Sequence, residues 1–319
     1  MQELRYNPVT GEWVIISAAT NERPTQPADS CPVCPRSQEF YGDYDLAAFD
    51  NRFPALSSDL SSVEEIDSNL LKRGPSRGKC EVLMYTSSHG LSVPNMGLIQ
   101  LEKLVEMWCD RYKEISKLDF IKSIFIFENR GREVGASLQH AHGQLYSFPF
   151  VPSRLEKKAK TLSDYYSCNR SCLICDLLTD NSFTKNTVFE NDSFMAVVPF
   201  FAKFPYEIHL YPFRHVSRII DLTAVEKRDL AHAIRKTAKL YDSIYEEEFP
   251  YMMTLYNPPE NCGFVYDDSY HFHIEFYPPK RAKDKLKWMA SVETGTWAFV
   301  NPTEPEAMAD TMKRLEVQQ

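Results

Sequence analysis

The sequence predicts an α+β protein made of two duplicated halves, each an antiparallel sheet with helices packed on one face. Three observations carry this reading. A C-x-x-C pair, a lone histidine and an H-x-H triplet occur in that order twice. The second set follows the first by 126 to 141 residues: Cys31 to Cys172, His89 to His215, His140 to His271. Offsets so alike, with their differences absorbed in loops, mark an internal duplication. Around each set, strand-like and helix-like apolar patterns follow one another in the same order. The halves are read as residues 1–160 and 161–319, joined through the charged, then polar, segment 155–170.

The elements follow in chain order. Glu81-Val-Leu-Met-Tyr-Thr-Ser-Ser-His89 and Glu207-Ile-His-Leu-Tyr-Pro-Phe-Arg-His215 both run from Glu through an apolar stretch, with Tyr fifth and His ninth. Each reads as a strand that delivers a histidine. A helix comes next. Leu101, Leu104, Val105, Trp108, Tyr112 and Ile115 share one face, and Leu230, Ala233, Ile234, Thr237, Leu240, Tyr241 and Ile244 repeat the pattern. Thr223-Ala-Val-Glu226 has the form of a capping box at the start of the second. β-rich runs at 120–127 and 251–256 then lead through turn-rich loops to His140-Ala-His142-Gly-Gln144 and His271-Phe-His273-Ile-Glu275.

Composition narrows the function. With 319 residues, 43% hydrophobic and 25% charged, the chain is long enough for a sizeable core. A net charge of −8 and the lack of any Lys/Arg run argue against a nucleic-acid partner, and so against a non-enzymatic, zinc-stapled binding protein. The longest apolar run, 194–202, contains Pro199 and is far short of a membrane span. With no signal-like start, a cytoplasmic location is expected.

Eight cysteines without a secretion signal do not read as a disulfide framework. One C-x-x-C pair is compatible with metal, redox chemistry or coincidence; a complete Cys/Cys/His/His set twice over is what tetrahedral structural zinc requires. Half one offers Cys31, Cys34, His89 and His140, and half two offers Cys172, Cys175, His215 and His271. Two zinc ions per chain are expected, with Cys168 and Cys262 as competing ligands in the second half. Residues i and i+2 of a strand share a face roughly 6–7 Å apart. One histidine of each H-x-H could therefore ligate metal while its neighbour faces a pocket.

The loop Phe127-Glu128-Asn129-Arg130-Gly131-Arg132-Glu133-Val134-Gly135-Ala136-Ser137-Leu138-Gln139-His140-Ala141-His142-Gly143-Gln144 resembles the active-site motif of galactose-1-phosphate uridylyltransferases, of the histidine-triad superfamily. The resemblance spans nearly the whole chain, including Arg5-Tyr6-Asn7-Pro8-Val9-Thr10-Gly11-Glu12-Trp13-Val14, Asn51-Arg52-Phe53-Pro54-Ala55 and a tail from Lys287. It implies two histidine-triad-like halves, the first catalytic. It also implies transfer of UMP between UDP-glucose and galactose 1-phosphate by a ping-pong route, in galactose metabolism. His142 takes the nucleophile's place, forming a covalent nucleotidyl-histidine, and Gln144 donates to a phosphoryl oxygen. The same resemblance assigns Asn129, Gly135 and Ser137 to the phosphates and Asn51 to the nucleoside. Lys287 and Glu293 match positions that contact the hexose phosphate from the other subunit of a homodimer. The expected partners are a nucleotide sugar and a hexose 1-phosphate. An ADP-glucose phosphorylase or adenylyltransferase using the same histidine is the alternative. Ala141 departs from the family's usual proline between the two histidines, and Val292 stands where Tyr is common. In half two, His273 and Glu275 occupy the catalytic places, and an anion there repels phosphate, so that half reads as structural.

Overall fold

The computed structural model describes residues 2–22, 31–37, 40–58, 63, 66, 68–136 and 138–318. An N-terminal hairpin, β1 (Gln2–Asn7) and β2 (Glu12–Ser17), is followed by β3 (Ala47–Asp50), β4 (Lys72–Pro75) and β5 (Lys79–Met84). Helix α1 (Leu98–Ser116), β6 (Ser123–Arg130) and β7 (His142–Phe148) complete the first half. Three helices come next: α2 (Ser153–Asn169), α3 (Leu173–Leu177) and α4 (Asn181–Thr184). They lead to β8 (Thr187–Glu190), β9 (Phe194–Val197), β10 (Ile208–Pro212), α5 (Ala224–Tyr245), β11 (Tyr251–Tyr256) and β12 (His273–Tyr277). The tail holds β13 (Lys280–Ala282), β14 (Lys285–Leu286), α6 (Ser291–Thr296) and α7 (Pro305–Glu316).

The two halves share one nine-stranded antiparallel sheet, in the order β3-β5-β7-β6-β11-β12-β10-β9-β8. The seam between them is the β6–β11 ladder, with Asn129 opposite Met252 and Phe127 opposite Thr254. Period-two alternation sorts the side chains. Leu83, Ile126, Leu145, Leu255 and Ile274 face the main core, where α1, α5 and α7 pack through Leu104, Trp108, Leu230, Ile234 and Met312. All six α1 residues expected on the core face are buried there, and Thr223 and Glu226 form the expected box at the start of α5.

Segment 155–170 lies almost wholly inside α2, so the expected 160/161 boundary falls within a helix. α2 and α3 cover the other face of the sheet over the second half only. Ala159, Leu162 and Ile174 pack there against Met195, Val197 and Tyr211. Over the first half that face is left to Phe125, Phe127, Asn129, His142, Gln144, Tyr146 and Phe148, all but His142 of intermediate burial. Among the described residues, no helix is long and apolar enough to cross a membrane.

Candidate active site and metal centres

Each half gathers one Cys/Cys/His/His cluster: Cys31, Cys34, His89 and His140, and Cys172, Cys175, His215 and His271. Bonds of about 2.3 Å to sulfur and about 2.0 Å to nitrogen at the tetrahedral angle give S···N edges of about 3.5 Å. In the first cluster the edges are 3.6 Å (Cys31–His140), 3.5 Å (Cys34–His89) and 3.5 Å (Cys34–His140). In the second they are 3.6 Å (Cys172–His271), 3.5 Å (Cys175–His215) and 3.5 Å (Cys175–His271). All of these contacts use Nδ1. The far nitrogens of His140, His215 and His271 donate to the carbonyl oxygens of Thr86, Asp267 and Pro212 at 2.8, 2.7 and 3.0 Å, the outer support typical of metal-binding imidazoles.

Charge supports the same reading. Burial, with Cys31 beside it, pushes the Cys34 thiol up to about 11. In the second cluster the hydrogen bond with Cys175 holds Cys172 down to about 2 and drives Cys175 up in turn. Two such thiols ionise together only with a cation between them. The residues present fit a metal ion in each cluster. Cys168 and Cys262 are both exposed and belong to neither cluster.

The division of labour within each H-x-H has a different origin from the one expected. β7 begins at His142 and β12 at His273, so His140 and His271 precede the strands rather than alternating along them. His140 is drawn to the two thiols, while Tyr85 N–H donates to the Ala141 carbonyl at 3.2 Å, in register with the β5–β7 ladder. The His140 carbonyl lies 2.8 Å from Nδ1 of His142. A carbonyl only accepts, so Nδ1 carries the proton and Nε2 the lone pair. Gly143 is required next: a Cβ there would lie 2.3 Å from the Tyr85 hydroxyl and 3.0 Å from the Phe127 carbonyl oxygen.

Gln144 follows on the open face, paired with Phe127 of β6. Continuing that register by two residues carries Asn129 to the position opposite His142. Gly135 has φ +78° with open space around it, a conformation that suits glycine and lets backbone N–H groups approach an anion. Asn51 accepts at 2.9 Å from Phe53 N–H, which shapes its own turn. Ser137 lies outside the described residues.

Lys287 and Glu293 are not brought to His142 within the chain. They pair with each other at 2.7 Å, both buried, and Glu293 is held down to about 2 chiefly by that lysine. Lys287 sits 5.8 Å from the Phe204 ring, on the segment entering β10. Phe204 and the tail's Phe299 line one cavity with Phe125, Phe127 and Asn129 of β6.

The second half repeats the histidine geometry. Nδ1 of His273 donates to the His271 carbonyl at 2.8 Å. Its Nε2, however, accepts from Lys158 Nζ at 2.7 Å, and that ammonium also binds Glu275 at 2.5 Å. Burial, then Lys158, lowers His273 to about 4. Sequence reasoning missed Lys158, which arrives from α2 with no motif around it. A third grouping, Glu207, His209 and Glu275, is internally satisfied at its histidine. His209 donates to Glu207 and accepts from the Tyr211 hydroxyl, each at 2.8 Å.

Comparison with known proteins agrees with this geometry. Residues 1–152 match the model of the galactose-1-phosphate uridyl transferase N-terminal domain, and residues 156–292 that of its C-terminal domain. A galactose-1-phosphate uridylyltransferase of Thermotoga maritima is 50% identical over 319 residues, covering all of both chains. Another, from Haemophilus influenzae, is 28% identical across 91% of this chain and 87% of its own. A solved uridylyltransferase superposes with a TM-score of 0.89 at 31% identity, covering 99% of each chain. An ADP-glucose phosphorylase from Arabidopsis thaliana gives 0.77 at 25% identity, covering 98% of this chain and 99% of its own. The chain belongs to the galactose-1-phosphate uridylyltransferase family.

Proposed function

We propose that this protein moves UMP between UDP-glucose and galactose 1-phosphate through a covalent uridylyl-His142. The observation that carries the reading is the His140 carbonyl on Nδ1 of His142, which leaves the Nε2 lone pair as nucleophile. Nε2 attacks the α-phosphorus, the P–O bond to glucose 1-phosphate breaks, and a P–N bond forms. A phosphate oxygen of galactose 1-phosphate then attacks, and the P–N bond breaks to release UDP-galactose. Gln144 and Asn129 donate N–H groups to the phosphoryl oxygens, while Gly135 and Ser137 line the phosphate loop and Asn51 holds the nucleoside. Gln144 is no acid, and a sugar phosphate leaves without needing one, which favours transfer over hydrolysis.

Zinc in both clusters supplies structural cross-linking; no chemical step passes through it. Lys287 and Glu293 are engaged with each other rather than with His142 or Gln144, which supports a homodimer in which each tail serves the partner's site. The two domains are taken as 1–160, catalytic, and 161–319, with the second metal cluster and the tail. Free thiols reserved for metal suit a cytoplasmic enzyme. The likeness to an ADP-glucose phosphorylase sustains a second reading, in which the same histidine takes AMP from ADP-glucose. Incubation with radiolabelled UDP-glucose or ADP-glucose without acceptor separates the two. Label from UDP-glucose on His142 supports the first, label from ADP-glucose alone supports the second, and no label on His142 overturns both.

A further inference from the structure

The mechanism leaves one buried acid of the first half without a task. Glu128 stands on β6 between Phe127, which pairs with Gln144, and Asn129. Its side chain points the other way, into the core, where it is 4% exposed. Burial pushes the carboxyl up to about 7, against the pull of Arg130, Tyr251 and Tyr85. Among the described residues it has no cation within 4.0 Å. Arg130, two residues on, is held instead by Asp242 at 2.7 and 2.9 Å.

Two tyrosines converge on this carboxyl. The Tyr251 hydroxyl, from β11, donates to Oε1 at 3.2 Å. The Tyr85 hydroxyl is held well above its usual range, by burial first and then by Glu128 and Tyr251. Oε2 of Glu128 and the Tyr85 oxygen are both buried, and among the described residues neither has a hydrogen-bond partner. Tyr85 in turn meets the catalytic strand at two points. Its N–H donates to the Ala141 carbonyl at 3.2 Å, and its hydroxyl fills the space that a Cβ on Gly143 would need. Those two residues flank His142. Behind the ring, α1 braces Tyr85: Trp108 packs edge-on with centroids 6.0 Å apart, and Gln100 donates to the Tyr85 carbonyl at 2.9 Å.

We propose that Glu128 is a positioning residue for nucleotidyl transfer: tied to Tyr251, it fixes the Tyr85 hydroxyl against Gly143, and so sets where His142 and Gln144 stand beside β6. The neutral carboxyl donates from Oε2 to the Tyr85 oxygen and accepts at Oε1 from Tyr251, which gives each of the three groups a partner. The nucleophile and the phosphoryl donors lie on the opposite face of the same strands. A shift of Gly143 therefore moves both, and misplacement by about 1 Å can cost about a hundredfold in rate. The inference rests on His142 as the nucleophile.

Substitutions in the full-length protein test it, with UDP-glucose and galactose 1-phosphate as substrates. Glu128→Leu keeps much of the volume but no hydrogen bond, and should lower kcat about tenfold or more while KM stays within about twofold. Tyr85→Phe should do the same. Glu128→Gln keeps an N–H for Tyr85 and a carbonyl for Tyr251, and should hold kcat within about threefold of wild type. Combining Glu128→Leu with Tyr85→Phe should be no slower than the slower single variant, since both break one link. Single-turnover labelling of His142 should slow in step with kcat, with metal content unchanged. Each assay is run well below the variant's thermal midpoint, and if Glu128→Leu does not fold, Tyr85→Phe and Glu128→Gln decide. Wild-type kcat in Tyr85→Phe, an effect on KM alone, a tenfold loss in Glu128→Gln, or losses that multiply in the double variant overturns the positioning role. Wild-type protein that takes no label on His142 from either nucleotide sugar overturns the catalytic reading instead, and this one with it.

Discussion

One carbonyl determines which nitrogen of His142 is nucleophilic, and the consequences can be tested one side chain at a time. His142→Gly should abolish exchange while leaving the metal clusters intact, because His142 touches neither. Free imidazole, or better a preformed uridylyl imidazolide, should restore transfer in that variant and fail in His140→Gly, which opens a cluster instead. Unaided turnover by His142→Gly, at rates near wild type, would falsify the mechanism. Gln144→Glu places an anion against the phosphoryl group and should lower kcat by about 10²–10³-fold. Glu275→Gln should leave kcat nearly unchanged, but it strips Lys158 of the carboxylate it pairs with in a buried pocket. A stability loss of up to about 3 kcal/mol is expected, read as a lower denaturant midpoint. Equal loss of activity in these two variants would show that both halves catalyse. His142 and Gln144 were legible because their neighbours form a motif. Lys158 was not, since nothing near it in the chain marks which strand it will meet.

At the level of elements, α1, α5 and the strands around each lone histidine and H-x-H segment are where their pattern places them, whereas segment 155–170, read as a joint, is helix α2. The strands of the H-x-H segments start at the second histidine, with the first histidine held in its cluster. α5 tests the opposite case, an end defined by local chemistry. Glu226 accepts from Arg214 and from Thr223 N–H, each at 2.7 Å, and Arg214 chiefly holds it down to about 2. A carboxylate lowered in the folded state stabilises above its ordinary value near 4.5, and the contribution fades as pH falls toward 2. The gap in thermal midpoint between wild type and Glu226→Gln should therefore be widest near neutral pH and shrink below about pH 4. A gap independent of pH would remove the ion pair from the account. Thr223→Ala should cost about 1 kcal/mol by denaturant titration, the usual value of an N-cap.

For the whole molecule, metal and sheet are the two long-range ties. Elemental analysis should find about two zinc per chain. Cys31→Ser and Cys172→Ser should each remove one and lower the thermal midpoint, since metal-binding energy is folding energy. Protein purified without tightly bound metal would refute this. Expressed alone, residues 1–152 would leave the β6 edge unpaired where β11 belongs, and the fragment should aggregate or associate through that edge. A soluble monomeric fragment that unfolds cooperatively would make the seam dispensable. The sequence by itself determined the duplication, the identity and number of the cluster residues, the core faces of α1 and α5, and the motif around His142. Each of these rests on spacing along the chain, which periodic backbone geometry converts directly into a shared face. Only the tertiary structure decided that the halves merge into one sheet through β6 and β11, and that Lys158 plugs the second triad. The same holds for Lys287 and Glu293, which pair with each other. Those are contacts between segments distant in sequence, set by strand order and by which face a helix covers, and local pattern carries no information about either.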